Sequence, residues 1–82
     1  MTRYTRAQAI EAIHDERERQ SRTWGNQWEP GQTSPEKKAL ILTEEVGEVA
    51  RELLDNGETA HAREELIQCA AVCLAFVESV QA

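Results

Sequence analysis

Residues 35–80 read PEKKALILTEEVGEVARELLDNGETAHAREELIQCAAVCLAFVESV, and the fold class follows from the spacing of their apolar side chains. Leu42, Val46, Val49 and Leu53 fall within a narrow arc at about 100° per residue, and so do Leu66, Ala70, Cys73 and Val77. Ser34 followed by Pro35 supplies an N-cap with proline at the first helical position. Gly57 is placed to adopt the left-handed conformation that ends a helix, and Thr59 can cap the helix that follows. Two helices, from about Pro35 to Asn56 and from about Ala60 to Val80, therefore fold back on Gly57 as an antiparallel hairpin, with their apolar stripes expected to face each other.

Upstream, Thr5 and Gln8 have capping-box spacing, and Ala7, Ala9, Ile10, Ala12 and Ile13 give a modest apolar stripe to a helix running to about Ser21. A polar loop rich in Gly, Asn, Gln and Pro follows from about Arg22 to Thr33. No repeat, low-complexity tract or alternating strand pattern is present, so residues 1–82 read as one all-α domain, a three-helix chain. A lone core of this size yields only about 3–5 kcal/mol. The last helix is apolar on further sides through Ile67, Ala71, Val72, Leu74, Ala75 and Phe76, more than a three-helix monomer covers. A homodimer or homotetramer that completes a helical bundle is expected.

Composition excludes several classes. In residues 66–77, 11 of 12 positions are apolar, well short of the roughly 18–20 residues that cross a bilayer. The charged N-terminal segment lacks the apolar run of an export signal. Cys69 and Cys73 sit one turn apart in an apolar helix and read as small hydrophobes on the packed face, without disulfide or zinc, which fits a cytoplasmic setting. The net charge of −6 argues against a grip on duplex nucleic acid. That charge is uneven: residues 1–38 carry net +1 and residues 39–82 net −7, with Arg51 and Arg63 the only Lys or Arg residues of the second half. Carboxylates concentrated beside the core need a compensating cation or donors.

Geometry names the carboxylates. Glu45 lies roughly 70° from the centre of its helix's apolar stripe, Glu48 roughly 130° away on the same side, and Gln68 is the only polar residue between Leu66 and Val77. If the hairpin turns near Gly57, residues whose numbers sum to about 113 share one height. Glu48 then pairs with Glu65 and Glu45 with Gln68, so two i, i+3 pairs converge on one cleft. Three carboxylates there repel one another and hold protons more tightly unless a hard divalent cation, Mg²⁺ or Mn²⁺, joins them. An E-x-x-H di-iron arrangement from Glu11/His14 and Glu58/His61 fails, because Glu58 lies in the turn, about two helical turns below that height.

The segments EEVGEVARELLDN (Glu44–Asn56) and REELIQCAAV (Arg63–Val72) resemble the MazG-like branch of the all-α nucleoside triphosphate pyrophosphatases, whose signature is ExxE on one helix and ExxD on the next. The upstream ERERQSRTWGNQWEP is similar to the segment that precedes the first motif in short MazG-like proteins, so the likeness covers about residues 16–77. It implies a metal-dependent pyrophosphohydrolase that cleaves (d)NTP between the α and β phosphates to (d)NMP and pyrophosphate, with Mg²⁺ on the motif carboxylates.

Carried onto this chain, the likeness makes Glu45, Glu48, Glu65 and Gln68 the metal-ligating set and Glu44 or Glu45 the residue that orients or deprotonates water. Gln68 departs from the pattern, since an amide oxygen can hold a cation but brings no charge and cannot act as a base. Lys37, Lys38 and Arg22, with Arg17 and Arg19, are the phosphate-binding candidates. Trp24 and Trp28 either seal the bundle or stack on a base, and Asn26 and Gln27 have the donors and acceptors to read a base edge. The alternative is a helical dimer of the same fold that binds nucleotide weakly or without cleaving it.

Overall fold

The computed structural model describes residues 2–82, the side chain of Asn26 excepted. Thr5 opens α1 (Arg6–Trp24) with a reciprocal cap: its hydroxyl accepts from the Gln8 amide at 3.1 Å and its own amide donates to Gln8 Oε1 at 2.8 Å. The helix runs three residues beyond the expected end. Arg22 and Trp24 are helical rather than loop, because the first residue to leave helical backbone is Gly25, at φ 64°. A 3-10 turn, Gly25–Trp28, then carries Trp28 inward.

Ser34 caps α2 (Pro35–Asn56) by accepting from the Lys37 amide, with proline at the start. Gly57 ends it by donating to the Leu53 carbonyl at φ 77°, ψ −155°. That is not the left-handed helical conformation expected. Its ψ is extended, a region that belongs essentially to glycine. Thr59 opens α3 (Ala60–Ser79) by accepting from the Ala62 amide, and its hydroxyl donates to Glu52 at 2.7 Å, tying the end of α2 to the start of α3.

Both α1 and α2 pack on α3, and among the described residues they do not pack on each other. Contacts between α2 and α3 run from Glu52 with Thr59 beside the turn to Ile41 and Leu42 against the cluster holding Val72 and Phe76. On the α1 side, Thr2 and Tyr4 meet Arg63 near the start of α3, and Arg17 meets Glu78 near its end at 2.8 Å. The core joins Trp28, Val72, Ala75 and Phe76, the two aromatic rings meeting edge to face at 5.1 Å. No helix is long and apolar enough to cross a membrane, and no strand occurs among the described residues.

The apolar stripes do not face each other as expected. Leu66 and Cys73 are exposed, Val77 is 73% exposed, and on α2 Val46 is 51% exposed. The buried residues of α3 are Ala62, Ala71, Val72, Ala75, Phe76 and Ser79; Ala71, Val72, Ala75 and Ser79 lie on the side opposite the 66/70/73/77 column, with Phe76 about a quarter-turn from it. The physical reason is that α3 serves two neighbours, so its small and aromatic columns are covered and its most regular apolar column is left outside. Cys73 is accordingly not a packed residue. Both thiols are free, and burial, followed by the neighbouring Cys73, pushes the half-buried Cys69 thiol up.

Candidate functional site

Because α2 packs on α3, acidic side chains of the two helices come together. One turn of α2 presents Glu45 and Glu48, and α3 presents Glu65. One carboxylate oxygen from each lies within 4.8 Å of the others. Glu48 thus lies beside Glu65, and Glu45 joins the same cluster.

The environment of these groups is unbalanced. Glu45 and Glu65 are half-buried while Glu48 is exposed. Glu45 Oε2 and Glu65 Oε2 are both buried, and neither accepts a hydrogen bond. Burial, and then the charges of Glu48, Glu65, Glu44 and Glu16, hold the Glu45 carboxyl above the usual carboxylate range. The other Glu65 oxygen, Oε1, faces His61 Nε2 at 3.2 Å, one turn back on α3. His61 thus occupies one oxygen of the carboxylate, and the other is buried without a donor.

Gln68 is half-buried, and its main-chain carbonyl accepts from Gln20 Nε2 at 3.3 Å. Its side chain makes no hydrogen bond among the described residues. Glu44 lies outside the cluster, on a neighbouring groove lined by Glu44, Gly47, Glu48 and Arg51. Glu52 is spent on the turn: hydrogen bonds from Thr59 and then Asn56 hold it below the usual range.

The basic and aromatic candidates are dispersed. Lys37 is exposed in the first turn of α2, and Lys38 is half-buried with its ammonium 5.9 Å over the Phe76 ring. Arg22 is exposed on the last turn of α1, whereas Arg17 and Arg19 are committed to Glu78 and Glu16. Trp28 is 5% exposed, with its ring between Phe76 and the edge of Trp24, so it seals the core and has no free face for a base. Trp24 keeps 39% exposure. Gln27 is exposed, and the side chain of Asn26 lies outside the described residues.

Glu16 and Gln20 are the residues that the sequence reading passed over. Arg19 grips Glu16 with two hydrogen bonds of 2.8 and 2.7 Å, the first cause of its carboxyl lying below the usual range, and Gln20 adds a third at 3.0 Å. Gln20 is 1% exposed, and its Oε1 has no partner. A signal was present, since Ala9, Ile13, Glu16 and Gln20 form one column of α1 at helical spacing, with polar residues continuing an apolar stripe inward.

The donor set suits a hard divalent ion. Three carboxylates from two helices converge, two of their oxygens are buried without any donor, and the one base at contact distance among the described residues is His61 beside Glu65. Neither family models, curated proteins nor solved structures returned a match to this chain.

Proposed function

We propose that this chain is a metal-dependent nucleoside triphosphate pyrophosphohydrolase that converts (d)NTP to (d)NMP and pyrophosphate. The observation that carries the reading is the convergence of Glu45, Glu48 and Glu65 with two buried, unpartnered carboxylate oxygens, at the positions where the sequence resembles the MazG-like ExxE and ExxD motifs. Those three residues, with the Gln68 amide oxygen, hold Mg²⁺ or Mn²⁺. When bound, the ion neutralises phosphate charge and lowers the pKa of a coordinated water.

The chain's own groups supply position and proton transfer. Glu45, with its raised proton affinity, is better suited than the exposed Glu44 to accept the proton of an attacking water. As the water oxygen bonds to phosphorus, the bridging P–O bond breaks and pyrophosphate leaves with that electron pair. His61 keeps Glu65 oriented. Lys37, Lys38 and Arg22 are the exposed or half-exposed cations available to the polyphosphate, and Trp24 is the aromatic surface available to a base.

The site sits on an antiparallel α2/α3 hairpin, and a second copy covers the outward column of Leu66, Cys73 and Val77, and Val46 and Leu53 of α2. The second reading, nucleotide binding without turnover, is favoured by Gln68, which brings no charge to the site.

The test is pyrophosphate release from a panel of (d)NTPs with Mg²⁺ or Mn²⁺. Glu48→Gln is nearly isosteric, so helicity is expected to persist while turnover falls roughly 100-fold or more. Gln68→Asp restores a fourth carboxylate and is expected to tighten Mn²⁺ binding. Turnover unchanged in Glu48→Gln would place the chemistry elsewhere. Metal-tightened nucleotide binding without product in the wild type would select the second reading.

A further inference from the structure

Gln20 of α1 is 1% exposed, and its Oε1 has no hydrogen-bond partner among the described residues. Turning the amide over does not relieve this. Nε2 donates both to Glu16 Oε2 at 3.0 Å and to the main-chain carbonyl of Gln68 at 3.3 Å, so exchanging the two atoms would set an oxygen against two acceptors. Glu16 is itself fixed, since Arg19 binds both of its oxygens. Gln20 Oε1 is therefore a preset acceptor, and a buried acceptor calls for a donor.

This corner of the fold adjoins the carboxylate cluster. Gln68, whose carbonyl holds Gln20, stands one turn along α3 from Glu65. Glu16, which fastens Gln20 from the other side, is among the charges that raise the Glu45 carboxyl. The side-chain amide of Gln68 is half-buried, belongs to a residue that Gln20 already touches, and has both of its N–H groups uncommitted among the described residues.

An amide is an ambiguous ligand. Its oxygen attracts a cation and its NH2 repels one, whereas either oxygen of a carboxylate serves. A glutamine at a metal site therefore needs a group that takes its NH2. We propose that Gln20 is a positioning residue for the metal site: its buried Oε1 accepts the side-chain NH2 of Gln68 and leaves the Gln68 oxygen to the divalent ion. Contacts from Arg19 through Glu16 to Gln20 and Gln68 thereby carry α1 into a site whose carboxylates come from α2 and α3. The assignment rests on the metal site of the proposed function, and Gln20 acts there only through Gln68.

The experiment measures the Mn²⁺ affinity of the full chain by calorimetry in wild type, Gln20→Met, Gln68→Asp and the double variant. Methionine matches the length of glutamine, suits a buried site and offers only a weak acceptor. Gln20→Met is expected to weaken Mn²⁺ binding roughly tenfold in the wild-type background. In the Gln68→Asp background it is expected to change nothing, because a carboxylate has no NH2 to place. A second measurement needs no change at Gln20. The Gln68 side-chain NH2 signals of the wild type, recognised by their loss in Gln68→Asp, are expected to shift and to exchange more slowly with water once Mg²⁺ saturates the site.

Equal weakening in both backgrounds overturns the assignment, since Gln20 would then serve the fold or an ion-bound water and not the Gln68 amide. Wild-type Mn²⁺ affinity in Gln20→Met overturns it as well. If Gln20→Met does not fold, the exchange measurement decides, and Gln68 NH2 protons no slower with Mg²⁺ than without it count against the assignment. Each of these results leaves the proposed function standing, because the wild type still binds the ion. A wild type that binds neither Mn²⁺ nor Mg²⁺ sinks the metal site and the role of Gln20 together.

Discussion

Glu45 is where the energetics of the site concentrate. Its carboxyl is raised by burial first and by the surrounding carboxylates after that. A group whose folded pKa exceeds its unfolded value binds more protons in the folded state, so between those two values stability falls as pH rises. For metal-free protein, Glu45 therefore adds stability as pH is lowered from neutral through its raised pKa, and the gain is complete once pH reaches the ordinary carboxylate range. Glu16 has the opposite sign: its lowered pKa makes its contribution present above the ordinary range and lost as pH falls through the folded value. Metal-free protein is expected to melt highest in mildly acidic buffer. Glu45→Gln should flatten the neutral-to-acid rise, and saturating Mn²⁺ should raise the melting temperature most at neutral pH. A melting profile with its maximum at neutral pH and no dependence on Glu45 would contradict the assignment. The residues behind this behaviour were mostly legible, because Glu45, Glu48 and Glu65 are fixed by helical spacing and one turn. Glu16 was not, since its approach depends on how α1 docks, which no local pattern encodes.

At the scale of the elements, local chemistry was legible and facing direction was not. The caps at Thr5, Ser34 and Thr59 and the stop at Gly57 are events within four residues, and each is found where the sequence places it. Which column of α3 turns inward is decided by two partners at once. A regular Leu66/Ala70/Cys73/Val77 column therefore misled, while Ala71 and Ala75, unremarkable by hydrophobicity, are fully buried. The turn matters because it sets the alignment that brings Glu48 beside Glu65. Gly57, at φ 77° and ψ −155°, occupies backbone that an L side chain rarely adopts. Gly57→Ala meets no steric obstacle, so its cost is backbone strain alone, about 1–3 kcal/mol. Urea unfolding is expected to show a lower midpoint with an unchanged m-value. An unchanged midpoint would mean that the turn relaxes to other backbone angles without cost. Gly47, inside α2 without positive φ and with nothing within 4 Å of an added Cβ, gives the contrast, since the same substitution is expected to stabilise there.

The whole molecule exposes more surface than its mass warrants. A folded monomer of 9.3 kDa is expected to expose about 5000 Å², yet this chain exposes 5926 Å². The excess is close to the roughly 800 Å² that one partner buries in a stable interface. Leu66, Cys73 and Val77 stand exposed along one column of α3, and Val46 and Leu53 stand exposed on α2. A second copy laid across these residues would turn two exposed helices into part of a four-helix bundle and cover the stripes that the sequence marks as interior. Leu66→Glu tests this without disturbing the core of the isolated chain, because Leu66 is already 49% exposed. Sedimentation of the wild type at micromolar concentration is expected to report a dimer or larger assembly, with a melting temperature that rises with protein concentration. The Leu66→Glu chain is expected to sediment as a helical monomer whose melting temperature no longer depends on concentration. A wild type that is monomeric at that concentration, and as stable as the variant, would show that these apolar residues stand in water by themselves.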